Sequence, residues 1–192
     1  MGQPQPFDKL KGTVECDETY VGGKPRKPGT PGRPSVMSPK QPVFSLVERN
    51  GRVRSYHVGR VTEANLVPIM RQNIFSNSRV VTDDFGSYRN VHFLFPKHST
   101  INHSAGVYSR QEPWGRVHTN TIEGYFGILK RGIIGTFHHV GEQHLFRYLA
   151  EFDFRYNSRK MKDGERTLLA LQGSAGKRLT LAQPENFVGF IG

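Results

Sequence analysis

TVECDETYV, residues 13–21, decides the fold. Val, Thr and Tyr favour extended backbone and no helical period runs through the stretch, so it reads as a strand. Alternation places Val14 and Cys16 on one side, Glu15 and Asp17 on the other. An acid flanked by Val14, Cys16, Tyr20 and Val21 is costly to bury unless it has a partner, which marks Asp17 as a candidate for chemistry.

Outward from this strand, residues 22–40 are dense in Gly and Pro, carry five basic residues and no acidic one, and read as a loop. Residues 42–58 form a hairpin, two β-rich runs joined by Asn50-Gly51. Thr62 reads as the cap of a helix over TEANLVPIMRQNIF, with Pro68 no more than about two turns in. RVVTD, residues 79–83, is a short buried strand ending in acid, followed by a turn and short helix. Residues 98–103 read as another strand and 104–117 as polar and irregular. Helical patterns then run from Asn120 to Arg131 and from about Gly141 to Tyr156. There is no internal repeat.

This order implies an α/β fold: a mixed sheet, hairpin plus parallel strands, flanked by helices, matching the RNase H-like arrangement. The expected organisation is a leader over residues 1–12, one domain over 13–160 containing the loop, and a C-terminal extension over 161–192 packed on or trailing the same domain.

The charge points to a polyanion. Lys and Arg number 27 against 16 acids, a net +11. No basic helix with a large apolar face stands out, so nucleic acid is preferred over a membrane surface. A hydrophobic share of 35% argues against disorder throughout. One cysteine, Cys16, excludes an internal disulfide and a Cys-rich zinc site. No secretory signal and no membrane-length apolar run are seen, so a cytoplasmic setting is expected.

Three acids stand in three contexts: Asp17 in the first strand, Asp83 at the end of a later one, Glu123 in the first turn of a helix. Magnesium takes carboxylate oxygens and keeps several waters. Two such ions roughly 4 Å apart clamp the attacking and leaving oxygens of a phosphodiester displacement, and strands and helices are rigid platforms for their ligands. Asp84 competes with Asp83, and either can be a turn cap. Glu123 and Lys130 are seven residues apart, about two helical turns, and so share a face, as an ordinary solvated helix face would too. His138, His139 and His144 lack the spacing and the additional ligand of a metal site; surface or DNA-facing roles fit them better.

The segments VECDETYVGGK, VVTDDFGSY, INHSAGVY and HTNTIEGYFGILKRGIIGTFHHV resemble bacterial insertion-sequence transposases of the DDE class. The likeness is to the branch whose complete members carry an N-terminal zinc ribbon before an RNase H-like catalytic domain, and it runs from about Thr13 to Arg159. It implies that Asp17 and Asp83 are the first two catalytic and metal-binding acids. The third is Glu123, with Asn120, one turn earlier, as a possible metal ligand or orienting group. His103 matches a position near the site, with DNA contact or core packing both open. The chain opens twelve residues before the strand, so the zinc ribbon is expected to be lost or supplied elsewhere.

The implied activity is cleavage and strand transfer at insertion-sequence ends, with two Mg²⁺ ions expected and Mn²⁺ able to substitute. The partners are transposon and target DNA, bound by a homo-oligomer in the bacterial nucleoid. Phosphate contacts are expected from Lys24, Arg26, Lys27 and Arg33 in the basic loop and from Lys130 and Arg131 on the helix. Two other readings are a non-catalytic DNA-binding remnant and another RNase H-like nuclease.

Overall fold

Five strands build one sheet in the order β3-β2-β1-β4-β5: β1 (Thr13–Val21), β2 (Gln41–Glu48), β3 (Val53–His57), β4 (Arg79–Asp83) and β5 (His98–Ile101). The computed structural model describes residues 8–22, 40–102, 105–106, 108–113, 115–138 and 140–176. β1, β2 and β3 are antiparallel, whereas β4 runs parallel to β1, and β5 parallel to β4. This is the order and polarity of the RNase H-like fold. The 42–58 hairpin turns at Asn50, whose φ of 59° is a left-handed value that Asn tolerates.

Strand alternation divides the sheet into two faces. Val14, Cys16, Phe44, Leu46 and Val80 point to one, where α1 (Glu63–Asn73) covers them with Leu66 and Met70. Val43, Val47 and Val53 point to the other, under α2 (Asn120–Gly132) and α3 (Leu145–Asn157). Ile122, Tyr125, Phe126 and Leu129 form the buried stripe of α2. A Cβ on Gly132 would overlap the Phe152 ring, so a glycine lets α2 and α3 approach there.

The exposed edge of β3 is closed by side chains of α3. Asn157 Oδ1 accepts from Val53 N (2.7 Å) and its Nδ2 donates to Val53 O (3.0 Å), while Asp153 Oδ2 accepts from Ser55 N (2.7 Å).

Several elements differ from the sequence expectation. Residues 104–117 are not wholly irregular: β6 (Arg110–Glu112) and β7 (Gly115–Val117) pair as a short hairpin, too polar for its period to show. That hairpin is tied to the sheet by Glu112 Oε2, which accepts from Ser99 Oγ (2.6 Å) and Arg79 Nη2 (3.2 Å). Thr62 is the N-cap of α1 by position, but its hydroxyl makes no cap bond; its carbonyl instead accepts from Asn65 N and Leu66 N. Before β1, Leu10 is fully buried, bonded through its backbone to Asn73 and Phe75, so the end of the expected leader belongs to the core. The helix expected from Gly141 begins as a short 3-10 turn, Glu142–His144, and becomes α-helical at Leu145.

Asp8–Lys160 fall in one compact unit and Met161 onward in a second. In the second, α4 (Asp163–Ser174) lies within the stretch expected as a C-terminal extension, and it opens with a bond from Lys162 N to Glu165 Oε2 (3.3 Å).

Candidate active site

β1 and β4 run side by side in the same direction, with Glu15 opposite Val81. Two residues further along each strand stand Asp17 and Asp83, on the same face. Their carboxylates come together with that of Glu18: each offers an oxygen, and these oxygens lie within 4.8 Å of one another. Asp17 Oδ1 accepts from Glu18 N (2.8 Å), Asp83 Oδ1 from Phe85 N (3.2 Å) and Glu18 Oε2 from the Tyr88 hydroxyl (2.5 Å).

The electrostatics follow from that crowding. Burial pushes the Asp17 carboxyl up to about 8, helped by the charges of Asp83, Glu18 and, more weakly, Glu123. Glu18 is also raised, by burial and by Asp83, against the lowering bond from Tyr88. Tyr88, almost wholly buried, is held well above the usual phenol range by desolvation and by Glu18. Carboxylates gathered and partly desolvated in this way suit a divalent cation, which would relieve the repulsion that raises Asp17.

α2 brings Glu123 into the field of Asp17, since its charge helps raise that carboxyl, but Glu123 lies outside the close group of three. It is exposed and accepts from Thr119 Oγ1 (2.8 Å) at Oε1. Asn120 is exposed in the first turn, and its backbone N–H donates to His118 Nδ1 (3.3 Å). Asp84 is exposed, accepts from Asn102 Nδ2 (2.9 Å) and is also outside the group. Lys130 and Arg131 are exposed in the last turn of α2. His138 is exposed, with Nδ1 within 3.1 Å of the Ile134 carbonyl, and joins no acid or histidine cluster among the described residues. Lys24, Arg26, Lys27, Arg33, His103 and His139 lie outside the described residues.

Beside Asp83 opens a cleft of about 390 Å³, lined by Phe85, Arg89, His92, His98 and Arg110 among others. Asp83 and Asp84 share this lining with Arg89 and with Arg110, whose Nη2 donates to Glu112 Oε1 (2.6 Å). Next to the cleft, the buried Thr82 hydroxyl donates to Asp83 O (2.8 Å), which leaves it to accept from His98 Nε2 (3.0 Å). Burial lowers His98 to about 4, so the ring is neutral.

Glu18 is the residue that sequence reasoning passes over. Alternation assigns it to the face opposite Asp17, and only Tyr88, 70 residues on, shows where its carboxylate is held. The available signal is the adjacency itself: two consecutive acids on the central strand offer one carboxylate to each face.

The family model described as an ISXO2-like transposase domain matches residues 9–157. A transposase-like protein of Haemophilus influenzae, itself uncharacterized, is 29% identical over 111 residues, 58% of this chain and 85% of that one. Among solved structures, the catalytic core domain of BIV integrase overlaps 83% of this chain and 95% of its own, at 11% identity and a TM-score of 0.45. A chain of the simian T-cell lymphotropic virus intasome, solved in complex with the PP2A regulatory subunit B56 gamma, overlaps 95% of this chain at 15% identity and a TM-score of 0.41. The present chain covers 55% of that chain's length. Neither overlap is close enough to transfer a residue.

Proposed function

The chain belongs to the ISXO2-like transposase family, and we propose that it cuts and joins DNA strands at the ends of an insertion sequence, using Asp17, Asp83 and Glu123 to hold divalent cations. The observation that carries this reading is the convergence of Asp17 and Asp83 from two parallel strands, with oxygens within 4.8 Å. Glu18, held by Tyr88, adds a fourth acid on the far side, and Asn120 is a possible further ligand from the first turn of α2.

Magnesium, or manganese in its place, would supply positive charge and Lewis acidity to the phosphodiester. The protein positions the reactants and balances their charge. In the first step a water oxygen bonds to phosphorus at the transposon end and the P–O3′ bond breaks, freeing a 3′-hydroxyl. In the second that oxygen bonds to a target phosphorus and displaces the target's own 3′-oxygen. Each exchange replaces one bond to phosphorus by another, and no protein–DNA covalent link is needed. Arg89 and Arg110 in the cleft, Lys130 and Arg131 on α2, and Lys24, Arg26, Lys27 and Arg33 in the basic segment receive the phosphate backbone. Two copies working on paired DNA ends in the bacterial nucleoid complete the picture.

The test is a nicking and strand-transfer assay on insertion-sequence ends with Mg²⁺. Asp17→Asn and Asp83→Asn are expected to lower cutting at least about 100-fold while DNA binding persists. Undiminished cutting by Asp17→Asn would sink the assignment. Binding is expected to weaken with salt by about 0.9 log unit per neutralised phosphate for each tenfold increase.

A further inference from the structure

Glu15 is fully buried, and a carboxylate in that position is tolerated only when its oxygens are satisfied. Here they are. Oε1 accepts from Arg49 Nε (2.6 Å) and Thr121 Oγ1 (2.9 Å). Oε2 accepts from two backbone amides, Thr121 N (2.9 Å) and Ile122 N (3.0 Å). His118 Nδ1 also stands 3.3 Å from Oε1, but the Asn120 N–H points at that nitrogen. Burial and Arg49 lower the His118 pKa, against the raising charge of Glu15. With its lone pairs committed, Glu15 is not a metal ligand.

What it does hold is the first turn of α2. Amides at a helix N-terminus have no partner inside the helix and carry the positive end of its dipole. A local Thr or Asn is the usual cap, and Thr119 and Asn120 stand at that place. Instead the cap comes from β1, from the same face as Asp17 and two residues before it. Arg49 extends the clamp: Nη1 donates to Arg116 O (2.8 Å) and Nη2 to His118 O (2.9 Å), fixing the segment that leads into the helix. Thr119 in turn donates to Glu123 Oε1.

We propose that Glu15 is a positioning residue for strand cutting: it ties the first turn of α2 to β1 and so sets where Glu123 stands relative to Asp17. This rests on the reading of Glu123 as the third acid of the site. One strand then indexes both acids, and a shift of the helix is felt as a shift of the carboxylate.

The experiment uses the whole chain and two readouts. In Glu15→Gln an amide group meets the same donors. Hydrogen exchange at Thr121 and Ile122 is expected to rise at least about tenfold, while the amides of Leu129 and Ile133 keep their protection. Single-turnover cutting at saturating DNA is expected to fall about 10–100-fold, the scale of an ångström misplacement, with the Kd for DNA within about twofold. Thr121→Val, which removes one hydroxyl bond, should move both readouts in the same direction by about three- to tenfold, and it decides the matter if Glu15→Gln does not fold. Faster exchange with unchanged cutting would reduce Glu15 to a helix cap and overturn the proposal, as would no change in either readout. If the wild-type chain itself does not cut, it is the proposed reaction that falls.

Discussion

Asp153 on α3 and Asp17 on β1 are both partly withdrawn from solvent on the same side of the sheet, and their surroundings are opposite. Asp153 is ringed by donors: Tyr125 OH (2.6 Å), Ser55 Oγ (2.7 Å) and Ser55 N (2.7 Å). The Ser55 hydroxyl is in turn 2.9 Å from Ser45 Oγ, on the residue that pairs with Asp17. Burial raises the Asp153 carboxyl while these donors pull it back. Among the described residues, Asp17 accepts one backbone N–H and faces the acids Asp83, Glu18 and Glu123. Asp153 is thus surrounded by hydrogens, and Asp17 by other carboxylates.

The contrast can be broken from the Asp153 side first. Asp153→Ala leaves Tyr125 OH and Ser55 N without their acceptor and should cost about 3 kcal/mol in denaturant unfolding. A loss no larger than that of a surface substitution would mean that the network contributes little. Next, Mg²⁺ or Mn²⁺ at a hundredfold excess over its Kd should stabilise the wild-type chain by about 2.7 kcal/mol, read as a rise in Tm reversed by chelator. Asp83→Asn should abolish most of that rise and Asp153→Asn should not. An equal response from both would erase the distinction between the two acids.

A smaller effect concerns pH. The folded state holds the Asp17 proton up to about pH 8, whereas the unfolded chain releases it near pH 4. Stability from this group is therefore full below about pH 4 and lost as pH rises through 8. Asp17→Asn should raise the stability of the metal-free protein by about 1–2 kcal/mol at pH 9 and hardly at all at pH 4. A gain independent of pH would point to packing rather than charge. His98 works in the other direction. Its folded pKa of about 4 lies below the free imidazole value, so its contribution is full above about pH 6.5 and lost as pH falls toward 4. Melts of His98→Gln should lose about 1 kcal/mol of that acid sensitivity. If acid sensitivity persists unchanged, another group carries it.

Much of this arrangement is legible in the chain. The alternation in TVECDETYV, the Asn50-Gly51 turn and the apolar stripe of α2 each state a local preference that the fold obeys. What escapes is what depends on distant partners. Glu15 reads only as a neighbour of Asp17 because its donors lie 34 and 106 residues away. Alternation puts Glu18 on the face opposite Asp17, and its bond from Tyr88 comes from another segment. The β6–β7 hairpin is anchored by Glu112 to Arg79 and Ser99, a tertiary contact that no period announces. α4 carries Leu168, Leu169 and Leu171 exposed, without the buried stripe that makes a helix stand out.

The side-chain closure of β3 limits how copies of this protein can be arranged. Asn157 imitates one residue of a neighbouring strand, giving and taking a bond at Val53, and Asp153 caps the next amide along. A strand from another molecule could add to that margin only by evicting both side chains, so growth of the sheet across β3 is blocked within the monomer. The sheet is finite on this side, and any contact between copies of this chain would have to use other surfaces.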